Sequence, residues 1–289
     1  MLIGKALVEI PPIFAACPPV NPVSRAQLTH AGTWQGRGAH GLAEDVRYYG
    51  QWMHDEAARR IGHFYPPAKL ANGSQATVIA WLWARTVRSP DPDANGAMVP
   101  LVSSFLLSTK EGRKAWVEPV IDSGAQDGYR FEVRTGSLSK VDEKKIGEGT
   151  KSARATFRCI LTGANISGAY IDTEAQAGRM STRLMAVVAE GQRSRTYEGS
   201  AAIHEHAAAQ AAEYIAKFGD NMDLPQQECR GTFASNAQGR RYCFKTFSDY
   251  FTPRQLIAMA GFSDLVAEAR ACRQFALKGA TTSCLLLGQ

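Results

Sequence analysis

The chain has 289 residues, of which 45% are hydrophobic and 21% charged, and its formal net charge at pH 7 is +6. These values are typical of a globular protein with one large domain or two small ones and an ample core. The positive charge mildly favours polyanion binding, and an uncommitted basic surface is the alternative. No apolar run reaches the ~20 residues of a membrane span, and none of the six cysteines lies in a C-x-x-C pair. Because no secretory signal precedes them, we expect a cytoplasmic protein with reduced thiols and no membrane partner.

The first 75 residues predict helical structure. Residues 1–10 favour a short helix that ends before Pro11 and Pro12, since proline lacks an N–H and disrupts a helix interior. This helix has no N-cap, so we interpret it as the back half of an element that begins earlier. Irregular chain through Pro22 and a Gly-rich loop over 31–41 follow. Apolar residues at steps of three and four then predict an amphipathic helix over about 42–63, with acidic residues at its start and Arg59 and Arg60 near its end.

From residue 76 to about 199, short β-branched and aromatic runs alternate with turn-forming residues, which is the pattern of antiparallel hairpins. We predict strands at 77–86, 99–107, 115–121, 129–134, 155–161 and 184–189. The lysine-rich segment 137–152 is predicted to be a mobile loop.

The last third of the chain is predicted to be helical again. An alanine-rich helix covers about 201–218, and a loop runs from there to residue 247. Thr252, Pro253 and Gln255 then form a helix-start pattern with an N-cap, a proline at N1 and a capping-box residue at N3. This helix is expected to continue to about residue 273.

The sequence lacks two motifs of amino-methyltransferases. No strand is followed by the Gly-rich turn that lets the backbone approach S-adenosylmethionine. None of the three Pro-Pro pairs has an Asp or Asn before it and an aromatic residue after it, the arrangement that holds a target amine and stacks on an extruded base. We therefore predict no catalytic and no cofactor-binding residues in this chain.

Other candidate sites are weighed against simpler interpretations. His204 and His206 are two residues apart on a predicted helix, so they point to different faces, and a solvated face is favoured over metal binding. Cys229 and Cys243 lack a partner pair, which disfavours zinc. Trp81 and Trp83 share a strand face with Arg85 and favour core packing over base stacking. Arg179 and Arg183 are four residues apart and suit two phosphates if they share a helical turn, with a solvated turn as the equal alternative. Glu118 and Asp122 are interpreted as structural.

Eight stretches taken in order carry a family resemblance. They are KALVEIPP (5–12), PPVNP (18–22), GLAEDVRYYGQWMHDEAARRIGHFYP (41–66), ATVIAWLWARTV (76–87), KAWVEPVID (114–122), YRFEVRTG (129–136), GRMSTRLMAVVAEG (178–191) and FTPRQL with FSDLVAEAR (251–270). The series resembles the large adenine-specific DNA methylases that carry a zinc-ribbon insertion and are often found in anti-phage and restriction loci. The resemblance covers about residues 2–270.

The resemblance implies where this chain lies within such an enzyme. In the family, the donor-binding Gly-rich motif precedes the equivalent of Leu2, and the Asp-Pro-Pro-Tyr motif follows the equivalent of Arg270. The chain is therefore expected to be an internal piece between the two motifs, produced by truncation, a frameshift or an internal start. Zinc-binding members place thiolates at positions that here are Ser89, Asn95 and Thr162, and only Cys159 remains. Hydroxyls and amides are poor zinc ligands, so we predict a degenerate ribbon without metal.

We therefore predict an α+β fold in which an antiparallel β-rich insertion (76–200), resembling a degenerate zinc ribbon, is flanked by helical segments (1–75 and 201–289) of an incomplete methyltransferase domain. The resemblance implies an S-adenosylmethionine-dependent adenine-specific DNA methyltransferase, to which this piece contributes contacts with double-stranded DNA. The missing methyltransferase segments or other defence-locus proteins are its expected partners. A stand-alone, non-catalytic DNA-binding or interaction module and a decayed gene product are the alternatives. The candidate DNA contacts are Arg47, Arg85, Arg179, Arg183 and Arg254.

Overall fold

The computed structural model describes residues 2–31, 36–191, 194–229 and 239–285, and it leaves out the side chains of 28–31, 240–241 and 272–285. The chain divides into two compact units. Unit 1 comprises Met1–His63 with Gln255–Gln289, and unit 2 comprises Phe64–Arg254. The three-segment division proposed from the sequence follows changes in residue pattern and stays a prediction.

The helices of the described residues follow one another in this order: α1 (Leu2–Gly4), a π-helical turn (Lys5–Glu9), α2 (Ile10–Ile13), α3 (Pro22–Ala31), α4 (His40–Ile61), α5 (Lys140–Glu148), α6 (Gly168–Gln176), α7 (Ala202–Phe218) and α8 (Pro253–Leu285). The structure confirms the predicted helices at α4 and α7 and the predicted start of α8. None of the helices described here combines the length and the apolar character needed to cross a membrane.

The prediction that the first helix ends before Pro11 is wrong. The helical path continues to Ile13 because the backbone changes its hydrogen-bond pattern around the two prolines. The N–H of Ile10 donates to the carbonyl of Lys5, five residues back, and past the prolines the N–H groups of Phe14 and Ala15 donate to the carbonyls of Pro11 and Pro12 at 3.2 Å. The chain thus forms a wide turn with a five-residue hydrogen bond before the prolines and tight turns with three-residue hydrogen bonds after them. This path does not require an N–H donor at either proline.

The carboxylate of Asp45 connects two segments of unit 1 through hydrogen bonds. Its carboxylate accepts hydrogen bonds from the backbone N–H groups of Val20 and Asn21 and from the Asn21 side chain, at 2.8–3.0 Å. Asn21 is fully buried and also accepts a bond from the N–H of Ser24 at the start of α3. The prediction that acidic residues begin this helix is wrong, because α4 starts at His40 and its first turn contains none. Asp45 lies beyond that turn and instead holds the irregular segment before α3 against α4.

Unit 2 contains twelve described strands in antiparallel sheets, which confirms the α+β class with antiparallel sheets. The largest sheet has the order β12 (Arg195–Gly199), β11 (Ser181–Glu190), β3 (Val78–Arg88) and β4 (Met98–Leu101). A second has the order β5 (Leu106–Ser108), β6 (Lys114–Ile121) and β7 (Tyr129–Gly136), and a third β10 (Asn165–Ile166), β9 (Thr156–Arg158) and β8 (Lys151–Ala153). β1 (Ala68–Lys69) pairs with β2 (Gln75–Ala76).

Two local predictions in unit 2 are wrong. The strand predicted over 99–107 is two strands, β4 and β5, which belong to different sheets. The predicted mobile loop at 137–152 contains α5, whose first turn is capped by Ser139 accepting from the N–H of Asp142 at 3.1 Å. Lys114 on β6 forms an ion pair with Glu143 of this helix. The high charge of the segment reflects an exposed helix surface.

The core of unit 2 lies between its sheets. One cluster joins buried residues of the largest sheet, of the second sheet and of the segment between β4 and β5, and it comprises Ala84, Val102, Phe105, Val117, Tyr129, Phe131 and Ala186. A second cluster packs α6 and the third sheet against β3 and β4, through Val87, Ala94, Val99, Cys159, Ile166 and Ile171. The β-branched and aromatic residues of the predicted strands therefore supply the core, as period-two alternation requires.

Candidate nucleic-acid interface

A cavity of about 690 Å³ opens in unit 2 beside β3 and β11. Two of the candidate residues, Arg183 and Arg254, line it although they are 71 positions apart in sequence, and Arg130 of β7 joins them. Hydroxyl side chains also line it, from Thr86, Ser181, Thr182, Ser200 and Thr252. Asp127 and Glu205 contribute carboxylates. Guanidinium and hydroxyl groups around an open cavity are the donors that phosphate recognition uses.

Arg183 is held tightly at the wall of this cavity. Its guanidinium donates to the backbone carbonyls of Gln126 and Tyr129 at 3.0 and 2.9 Å and lies 3.6 Å from the Asp127 carboxylate. It also lies 4.3 Å from the centre of the Tyr129 ring. These contacts fix its orientation, and they leave a minority of the side chain accessible.

Arg254 is a buried cation. It is 6% exposed, and its guanidinium lies 4.1 Å from the centre of the Trp81 indole and 5.8 Å from that of the Tyr65 ring. Its hydrogen bond to the carbonyl of Phe64 is long, at 3.5 Å. Among the described residues no carboxylate forms an ion pair with it. Burial lowers the pKa of Arg254 below its ordinary value, which is the expected direction for a desolvated cation.

His204 lies next to this cation, and the expectation that it occupies a solvated helix face is wrong. The residue is 3% exposed, and its Nδ1 accepts a hydrogen bond from the Trp81 indole N–H at 3.1 Å. Burial, followed by repulsion from Arg254, lowers the pKa of His204. The neutral imidazole is therefore favoured. His206 is exposed, so the two histidines lie on different faces, as their spacing indicates.

Arg85, the candidate arginine on β3, is accessible to solvent. It is exposed, and its guanidinium lies 3.9 Å from the centre of the Tyr242 ring and 5.7 Å from that of Phe244. Within the described parts of the chain it forms no ion pair with a carboxylate. Trp81 and Trp83 are partly buried against Leu184 and Val187 of β11. This confirms the core-packing interpretation of the two tryptophans.

Arg47 and Arg179 are neutralised within the chain. Arg47 on α4 of unit 1 forms an ion pair with Glu44. Arg179 makes two hydrogen bonds, of 3.0 and 2.6 Å, to the buried carboxylate of Glu174. The suggestion that Arg179 and Arg183 share a helical turn is wrong, because Arg183 lies in β11 and Arg179 in the turn after α6.

The structure also brings together residues of the predicted degenerate ribbon. Cys159 is 2% exposed and lies at a tight turn in which its carbonyl accepts from the N–H of Gly163 at 2.8 Å. Burial raises the pKa of its thiol, but hydrogen bonds with Ser89 and Thr162 outweigh this and leave the pKa below its ordinary value. Since two hydroxyls surround one sulfur, these residues do not fit a zinc ion. No group of three or more His, Cys, Asp or Glu side chains suited to a metal is found in the part of the chain described.

Sequence reasoning missed two features of this region. The position of Arg130 at the cavity depends on long-range packing, which the local sequence does not encode. The sequence analysis predicts a loop up to residue 247 and gives no role to the aromatic residues Tyr242, Phe244 and Phe247 in it. A high density of aromatic residues in a basic segment is a local pattern that favours nucleic-acid binding.

Comparison with known proteins returned no matching family model, no matching curated protein and no matching solved structure.

Proposed function

We propose that this chain is the DNA-contacting segment of an S-adenosylmethionine-dependent, adenine-specific DNA methyltransferase of a restriction or anti-phage system. In this proposal it works in the cytoplasm, contacts double-stranded DNA and transfers no methyl group by itself. The collinear resemblance over about residues 2–270 supports the family, and the missing Gly-rich and Asp-Pro-Pro-aromatic motifs support the non-catalytic role. The net charge of +6 suits a polyanionic partner.

The observation that carries the proposal is the convergence of Arg183 and Arg254 on one open cavity rimmed by hydroxyl groups. Arg130 also lines this cavity, but it is paired with Asp122 and Glu132. Phosphate contacts in DNA complexes come mainly from Arg, Lys and hydroxyl side chains, and they position the duplex without reading its sequence. Arg85 extends this basic region on the accessible part of β3. Arg47 and Arg179 contribute less in this proposal, because Glu44 and Glu174 already neutralise them.

In this proposal the chain itself holds neither S-adenosylmethionine nor zinc. S-adenosylmethionine is held by segments of the enzyme other than these 289 residues. The β-rich insertion is proposed to keep a ribbon-like fold without zinc, stabilised by the apolar cluster around Cys159. Stoichiometric zinc in the purified protein, measured by elemental analysis, would overturn the metal-free part of this proposal.

A second candidate function is a non-catalytic module that assembles with a separately encoded catalytic protein. The first helical segment favours it, because Leu2, Ile3, Leu7 and Val8 are all at least 70% exposed. Exposed apolar clusters of this kind are typical of protein interaction surfaces. Methyl transfer to DNA that appears only when this chain is mixed with segments carrying the two missing motifs supports a split enzyme. DNA binding without any such transfer supports the stand-alone module.

The proposed DNA contact is tested by the salt dependence of duplex binding, measured by fluorescence anisotropy. Each phosphate contact adds about 0.9 to the slope of log affinity against log salt concentration. We expect Arg85→Ala to reduce this slope by about one unit. The matched control is Arg134→Ala on β7, whose guanidinium is paired with Glu118 and Glu132, and it should leave the slope unchanged. Equal slopes for the two variants would remove Arg85 from the interface, and salt-independent or absent binding would refute the proposal.

A further inference from the structure

The segment 242–251 presents an unusual density of aromatic side chains at the surface of unit 2. Five of its ten residues are Tyr or Phe. Phe247, Tyr250 and Phe251 are 44%, 42% and 39% exposed. The rings of Tyr242 and Phe244 lie 6.0 Å apart, and Phe244 meets Tyr250 edge-to-face at 4.9 Å. We call these five residues the aromatic platform.

The backbone beneath the platform is anchored to the segment 225–229. The N–H of Cys229 donates to the carbonyl of Lys245 at 2.8 Å, and the N–H of Phe247 donates to that of Gln227 at 3.1 Å. The buried Ser248 hydroxyl donates to the carbonyl of Pro225 at 3.0 Å. The platform is therefore held in place by backbone and side-chain hydrogen bonds, so that a ligand meets rings that are already positioned.

Two cations belong to the surroundings of the rings, and the carboxylate of Asp249 is engaged in local hydrogen bonds. Arg85 stacks on Tyr242, and Lys245 is exposed without an ion pair among the described residues. The carboxylate of Asp249 accepts from the backbone N–H groups of Lys245 and Thr246, at 2.7 and 2.8 Å. This capping box uses the Asp249 carboxylate locally. Glu228, which forms a β-bridge with Thr246, is exposed, so one further carboxylate accompanies the two cations, Arg85 and Lys245.

We propose that the aromatic platform binds unpaired nucleotides of DNA, whose bases stack on its exposed rings while Arg85 and Lys245 contact the flanking phosphates. Stacked bases and their flanking phosphates match a surface that combines exposed aromatic rings with cations. A protein partner with an apolar surface matches less well, because it would bury these two cations without neutralising them. The inference rests on the proposed function, since methylation of an adenine amine requires the base to leave the duplex stack.

The test compares a labelled single-stranded oligonucleotide of about 12 thymidines with a duplex of the same length, using fluorescence anisotropy on the full chain. We expect Phe247→Ala and Phe251→Ala each to weaken single-strand binding about tenfold and to leave duplex binding nearly unchanged. Phe218→Ala on α7 is the matched control, because Phe218 is also 39% exposed and lies beside a cation, Lys217, 5.1 Å from its ring centre. Circular dichroism checks that each variant is folded. Lys245→Glu, at an exposed position, keeps every ring and should weaken single-strand binding because it removes a proposed phosphate contact; unchanged binding would remove Lys245 from the proposed site.

The outcomes separate this inference from the proposed function. Loss of single-strand affinity in the two platform variants but not in the Phe218 variant supports the inference. If the platform variants bind both the duplex and the single strand as tightly as the wild-type chain does, the inference is overturned and the proposed function stands. If the wild-type chain binds neither form of DNA, both fail. Equal losses in the platform variants and the Phe218 variant would also overturn the inference, because they would show a general loss of exposed aromatic surface.

Discussion

Arg254 gives the most informative single substitution, because the structure makes its charge costly. Burying an ion costs several kcal/mol even after relaxation. A desolvated cation–π contact such as that with Trp81, 4.1 Å away, returns about 2 kcal/mol. The hydrogen bond to Phe64 is at the outer distance limit and adds at most about 1 kcal/mol. Replacing the guanidinium with an apolar side chain of similar length should therefore relieve a net penalty.

We expect Arg254→Met to raise the free energy of unfolding by about 1–2 kcal/mol in urea denaturation and to weaken duplex binding. Such a gain in stability with a loss of binding is the behaviour of a charge kept for function. Arg134→Met, at an exposed position, is the control and should change stability by less than about 0.5 kcal/mol. A loss of more than about 1 kcal/mol in Arg254→Met would refute the reasoning and make the cation a structural element of unit 2.

Three further predictions concern stability and metal binding. Asp45→Ala should lower the free energy of unfolding by about 3 kcal/mol, because bonds to a charged acceptor are strong and two backbone N–H groups lose their partner. Chemical denaturation measures this free energy, and a change below about 0.5 kcal/mol would contradict the prediction. The lowered pKa of His204 means that the unfolded state takes up its proton first, so stability should be full above about pH 6.5 and should fall as the pH drops below that value toward the folded-state pKa. His204→Gln, which keeps an acceptor for Trp81, should make the melting temperature less dependent on pH in this window, and an unchanged pH profile would show that His204 does not titrate there. If the ribbon resemblance is right, elemental analysis should find one zinc ion per chain after cysteines replace three residues, Ser89, Asn95 and Thr162; absence of zinc would count against the resemblance.

Much of the secondary structure could be predicted because the signals are local. The amphipathic pattern of α4 and the alternation in β6 and β7 depend only on neighbouring residues. Ser139 and Ser167, which cap α5 and α6, were equally local signals, but they were overlooked in a charged segment and in a short one. The path of the backbone through Pro11 and Pro12 could not be predicted, because proline normally ends a helix and the π-helical turn is rare.

Individual residues of the candidate site could be predicted from the sequence, but their arrangement could not. The five arginines were chosen from their positions in the sequence, and the structure shows that their surroundings differ strongly. Glu174 lies five residues from Arg179, so that pair could have been anticipated from spacing in a turn. The burial of Arg254 against Trp81 depends on contacts across more than 170 positions, which no local pattern encodes. The same holds for its convergence with Arg183 on one cavity.

The central claim, that this chain contacts duplex DNA through its basic surface, is tested most directly by titrating the wild-type chain with a duplex at salt concentrations between about 50 and about 200 mM. With three phosphate contacts, from Arg85, Arg183 and Arg254, the account predicts that affinity falls roughly 40-fold over this fourfold range. Affinity that stays constant across the range, or no binding at the lowest salt concentration, would contradict the account.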